Sequence, residues 1–95
     1  MTTETRNGGQ DMVDVLEGLH QQEDRIRKAK ARLRAAELRV RACSQDRLAA
    51  GYARQGTTPI YAGQSAVCAG KAAEAGSYAD RTRAQADLIE AEAGI

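Results

Sequence analysis

The chain has no tryptophan, no phenylalanine and only three tyrosines in 95 residues. A core built on large aromatic side chains is therefore excluded. Proline occurs once, at Pro59, and runs of alternating β-branched residues are missing, which argues against strands. Two cysteines, Cys43 and Cys68, are too few for a disulfide framework and suit a reducing, cytoplasmic setting. A single histidine, His20, leaves no ligand set for a metal. No signal-peptide core, membrane-length apolar run or lipidation motif stands in the sequence. No serine has a histidine near it in sequence, and no glycine-rich phosphate loop occurs, so neither an enzyme nor a cofactor site is expected.

What is present is alanine, arginine, glutamate and glutamine, all strong helix formers. The length suits one small domain, and the composition suits an all-α fold with thin, alanine-lined seams. The net charge of +1 conceals two blocks. Residues 1–24 hold Arg6 against Glu4, Asp11, Asp14, Glu17, Glu23 and Asp24, whereas residues 25–47 hold nine Arg and Lys against Glu37 and Asp46. A basic belt with an acidic flank serves nucleic acid, acidic proteins or self-association equally well.

The belt has an internal period. Arg25-Ile26-Arg27, Arg32-Leu33-Arg34 and Arg39-Val40-Arg41 repeat every seven residues, with Ala29, Ala36 and Cys43 three places after each central residue. Leu19 and Gln22 extend the pattern backwards. Such a heptad marks a helix lying along another helix. Residues 1–10, with Gly8-Gly9, read as a flexible leader, and Asp11 as the cap of a helix over 11–55 that Gly18 bends or frays. Gly56 then takes the left-handed cap position. Thr58 and Pro59 restart a helix over 59–93 as its cap and first residue. This second helix carries its own four-and-three seam: Tyr61, Ser65, Cys68, Ala72, Ala75, Ala79, Thr82, Ala86, Ile89 and Ala93.

Folding back at a turn over 56–58 predicts an antiparallel two-helix hairpin in which opposed residues have numbers adding to 111 or 112. Leu19, Ile26, Leu33 and Val40 then meet small residues of the second helix, as close packing favours. Cys43 faces Cys68, either as two core thiols or as a bridge worth roughly 3–4 kcal/mol. Met12, Val13, Val15 and Leu16 are left without an intrachain partner and are expected either to fray or to belong to an interface.

So thin a hairpin predicts further pairing into a helical bundle. A second strip on helix one, Ala31, Ala35, Leu38, Ala42 and Ala49, lies on its other side. The rows Arg25, Arg32, Arg39 and Arg27, Arg34, Arg41 border it, and the interaction surface is placed there. Ala62, Ala66, Ala69 and Ala73 make a comparable strip on helix two. Glu23 and Glu37 stand four residues before Arg27 and Arg41 and are expected to pair with them.

In outline the chain resembles two families of helical hairpin. Plasmid copy-control proteins of the ROP type dimerise into four-helix bundles and bind paired RNA loops. Small secreted WXG proteins share the hairpin, but here the turn reads Gly51-Tyr52-Ala53-Arg54-Gln55-Gly56 without their Trp-x-Gly, and Tyr78 is followed four places on by Thr82 instead of an acid. Both likenesses are of architecture, which does not assign function. The sequence thus predicts a small bacterial or phage helical protein that acts as an adaptor, inhibitor or assembly component. It binds itself or another protein, without membrane or small-molecule substrate. A nucleic-acid regulator using the basic face, and a specialised secreted hairpin, are the alternatives.

Overall fold

The structure is a computed structural model. It describes residues 2–95, with side chains from residue 11 onward. Helix α1 runs over Thr2–Gly56, a 3₁₀ segment over Pro59–Gln64 and helix α2 over Ser65–Glu92. The fold is the all-α antiparallel hairpin that the heptads predict. Its shape is a rod of 90 × 15 × 11 Å.

Helix α1 begins before position 11, and the stretch expected as a leader is helical from Thr2. It also passes through Gly18 without a break. One glycine costs only about 1 kcal/mol against alanine, too little to stop a helix this rich in good formers. At the other end, Gly56 is helical, and among the described residues only Gly94 has a positive φ. The cap role expected of Gly56 is taken by two threonines. The hydroxyls of Thr57 and Thr58 both donate to the Arg54 carbonyl, at 2.9 and 3.0 Å. The Thr57 and Thr58 amides donate to the Arg54 and Gln55 carbonyls. These bonds satisfy carbonyls that the helix end leaves open. Thr58 precedes Pro59 as expected, but its hydroxyl turns back to α1 instead of capping the next element.

What Gly56 supplies is closeness. A methyl group there would sit 3.3 Å from Cβ of Cys68, so the helices meet tightly at the base of the hairpin. The 3₁₀ segment ends α1's influence at Tyr61, whose φ of −105° and ψ of 18° bend the chain into α2. Helix α2 closes in a Schellman motif: Gly94, with φ 76°, donates to Ala91, and Ile95 donates to Glu90 at 2.9 Å.

The register differs from the one read off the sequence. Leu38 clusters with Ala35 and Ala86, with Ile89 packed against them, and Gly56 approaches Cys68. Opposed residues therefore have numbers adding to about 124, twelve more than expected. The reason is the connection. The expected turn takes three residues, 56–58, whereas the chain spends Thr57–Gln64 on it, because a 3₁₀ segment spans the 8–10 Å between packed helix axes.

The expected α2 seam holds from Cys68 onward: Cys68, Ala75, Ala79, Thr82, Ala86 and Ala93 are buried and Ala72 and Ile89 half-buried. Tyr61, in the crossing segment, and Ser65, the first residue of α2, are exposed. On α1 the face is the other one. Ala35, Leu38 and Ala42 are buried, with Ala31, Gln45 and Ala49 half-buried beside them. Leu19, Ile26, Leu33 and Val40, taken as the hairpin core, are exposed. The strip assigned to an outside partner is the inside of the hairpin.

Because α2 is short, α1 overhangs it. Ala31 lies level with Ala93, so some 28 residues of α1 project beyond α2, about 40 Å at 1.5 Å per residue. The sequence marks this boundary. The seam positions of α1 are Ala31, Ala35, Leu38 and Ala42 within the hairpin, but Asp14, Glu17, Gln21, Asp24 and Lys28 along the overhang.

Candidate interaction surface

Rotation about α1 defines the surface. At 100° per residue, the buried seam of Ala31, Ala35, Leu38 and Ala42 lies about 160° from the row Leu19, Ile26, Leu33, Val40. That row starts one heptad earlier, at Met12. Its five members are 49–68 % exposed; Leu33 and Val40 lie on the side of α1 away from α2, and Met12, Leu19 and Ile26 continue the row along the overhang. The residues three places on, Val15, Gln22, Ala29, Ala36 and Cys43, are exposed too. Together they form an unpartnered apolar stripe of coiled-coil pattern, running along the overhang and half the hairpin. Isolated exposed leucines are ordinary on proteins, but five large residues in one heptad row are a surface of another kind.

The arginines flank this stripe. Arg25, Arg27, Arg32, Arg34, Arg39 and Arg41 are all exposed. Three are held by acids. Arg27 donates to Asp24 at 2.7 Å, and Lys28 reaches the other Asp24 oxygen at 3.2 Å. Arg34 lies 3.5 Å from Glu37. Arg39 bridges to α2, to Asp87 at 2.9 Å and to Glu90. A second inter-helix pair joins Arg83 to Asp46. The expected partners, Glu23 for Arg27 and Glu37 for Arg41, are replaced by Asp24 and by a Glu37–Arg34 contact. Spacings of three and four both bring side chains together on a helix, and the sequence does not choose between them. Arg25, Arg32 and Arg41 have no ionic partner among the described residues.

Two of these pairs act on protonation. The Arg27 guanidinium, and after it the Lys28 ammonium, bond the Asp24 carboxylate and hold it below its ordinary pKa of 3.8. Glu90, then Asp87, hold Arg39 in its charged form by the same logic.

The cysteines do not meet. Cys43 is exposed on the stripe, Cys68 is buried beside Gly56, and both are free. In the observed register Cys43 stands opposite Arg81, about 20 Å along the axis from Cys68 at 1.5 Å per residue, beyond disulfide reach. The bridge considered from the sequence falls with the register that suggested it.

Other features are slight. Tyr52, Lys71 and Tyr78 border an open depression between the helices, with the Lys71 ammonium 5.5 Å from the Tyr52 ring centre. Among the described residues no group of three or more His, Cys, Asp or Glu is placed to hold a metal ion. No helix there is long and apolar enough to cross a membrane. Compared with protein-family models, curated proteins and solved structures, the chain has no match.

The exposed residues that the sequence reading places inside the hairpin are Leu19, Ile26, Leu33 and Val40, whose heptad it assigns to the contact with α2; Met12 it already leaves without an intrachain partner.

Proposed function

We propose that this protein is a non-catalytic helix-docking component, an adaptor or assembly part, that binds through the apolar stripe of α1. The observation that carries the reading is the heptad row Met12, Leu19, Ile26, Leu33, Val40, exposed, with Leu33 and Val40 on the side of α1 away from α2. An unpaired row of this length is the half of a coiled coil that a second helix completes. The alanine strip first assigned this role is occupied by α2.

The test uses Ile26→Glu and Leu33→Glu in the full chain, with the mass of the native complex as readout. Both variants should keep their helicity and lose the complex. Unchanged assembly in both would remove the stripe as the docking face.

A nucleic-acid regulator is the second reading, favoured by Arg25, Arg32 and Arg41, exposed without ionic partners among the described residues. Binding of RNA or DNA should then fall steeply with salt and with Arg32→Glu or Arg41→Glu. Insensitivity of any complex to both would exclude it.

A further inference from the structure

The edges of the stripe carry information that its apolar centre does not. One edge holds Arg25, Arg32 and Arg39. The other holds Glu23, Lys30 and Glu37, backed by Arg27, Arg34 and Arg41. All of these side chains are exposed. Over residues 23–41 the two edges therefore set seven cations against two carboxylates, an excess of five positive charges along about 27 Å of helix at 1.5 Å per residue.

Part of this charge is already answered within the chain. Arg39 is held by Asp87 and Glu90 of α2, Arg27 by Asp24, and Glu37 lies on Arg34. Arg25, Lys30, Arg32 and Arg41 have no ionic partner among the described residues. The other acids of the overhang do not serve them, because Asp14, Glu17 and Asp24 occupy seam positions on the far side of α1. The unanswered cations thus border the apolar row on both sides.

That combination discriminates among occupants. Phosphates would answer the arginines but leave Leu19, Ile26, Leu33 and Val40 in water, and no aromatic side chain on the stripe offers a base a stacking surface. A second copy would cover the apolar row but bring few acids, since the carboxylates on its own stripe edges over residues 11–44 are Asp11, Glu23 and Glu37 alone. A helix from another protein can meet both demands. In a helix pair the apolar seams supply affinity, and the flanking charges choose the partner.

We infer that the stripe takes an amphipathic helix of another protein, one whose apolar seam is edged by Asp or Glu where it passes Arg25, Lys30, Arg32 and Arg41. This rests on the stripe being the docking face. Nearer the start of α1 the edges are Asp11, Leu16 and Gly18, so the acidic requirement covers only the part from Glu23 onward.

Two synthetic helical peptides of about four heptads serve as probes, sharing one apolar seam, with Glu at every edge position in the first and Lys in the second. Like charge on both edges keeps each peptide from pairing with itself. Titrated with the chain and followed by fluorescence anisotropy, the Glu-edged peptide should bind at least about tenfold more tightly than the Lys-edged one in about 50 mM salt, and the margin should shrink at about 500 mM. Arg25→Glu/Arg32→Glu should erase or reverse that margin, whereas Leu33→Glu should weaken both peptides. Circular dichroism checks that each variant is folded. Equal affinity for the two peptides, or preference for Lys edges, overturns the acidic partner and leaves the docking face standing. If neither peptide binds, or if Leu33→Glu binds as the parent does, the docking face itself falls. A chain that sediments as a dimer, and loses the dimer in Leu33→Glu, puts a second copy on the stripe and overturns the foreign helix. An RNA duplex retained by Leu33→Glu but lost by Arg32→Glu/Arg41→Glu assigns the arginines to nucleic acid and overturns it too.

Discussion

The two faces of α1 are built from the same four-and-three spacing and do opposite things. The face toward α2 holds Ala31, Ala35, Leu38 and Ala42, and is small enough to let two helices approach. The face away from it holds Met12, Leu19, Ile26, Leu33 and Val40, the larger side chains of the helix, and leaves them in water. Size alone would predict the reverse, since burying a large apolar residue contributes about 1.5–3 kcal/mol and an alanine far less. The difference teaches that a hairpin is chosen by chain connectivity and close fit together. The apolar area left over is then available to another chain. The faces also differ in extent: the alanine seam stops where α2 stops, and the stripe continues into the overhang.

The largest test of that contrast is a matched pair of glutamates. Leu38, 4 % exposed, is the one large side chain inside the seam. Leu38→Glu leaves a charge there without a partner and should cost about 3–5 kcal/mol, enough to open so thin a hairpin. Leu33→Glu, on the exposed face, should leave the isolated hairpin within about 0.5 kcal/mol of the original. Urea unfolding of each, at concentrations where the chain is monomeric, checks both. Similar losses would mean that the two faces are not distinct.

A second contrast enlarges a residue instead of charging it. Ala79 is fully buried in the α2 seam, so Ala79→Leu should overpack it and cost about 1–3 kcal/mol. Ala36→Leu, on the stripe, should be neutral for the hairpin, and thermal unfolding of the two variants separates them.

Gly18 tests the overhang alone. A methyl group there meets nothing within 4 Å, so Gly18→Ala should raise helicity, with a gain of at most about 1 kcal/mol confined to the projecting part of α1. Hydrogen exchange should slow near residue 18 and not at the Leu38 seam.

The smallest effect is that of Asp24. Its carboxyl pKa is held below the ordinary 3.8 by Arg27 and Lys28, so its contribution to the helix is complete above that value. It is lost as pH falls through the lowered pKa. Acid titration of helicity should show this loss below about pH 4, and Asp24→Asn should remove it.

How much of this was legible depends on which interactions are local. Helix type, the absence of strands, the break before Pro59 and the buried set on α2 were all readable, since propensity, caps and a single dominant seam are recorded in neighbouring residues. The end of α1 was readable in position but not in mechanism, because Thr57 and Thr58 cap it where Gly56 was expected to. Two strips on α1 obeyed the same period, and nothing local ranks one above the other.

The amino-acid order by itself settled that there are two helices, that the first ends close to Gly56, and that α1 carries two apolar faces. Which face turns inward was decided by the tertiary structure alone. The length of the Thr57–Gln64 crossing set the register at about 124 and placed Leu38 beside Ala86. A helix repeats every turn, so a shift of register changes its partners and its working face without altering any local preference.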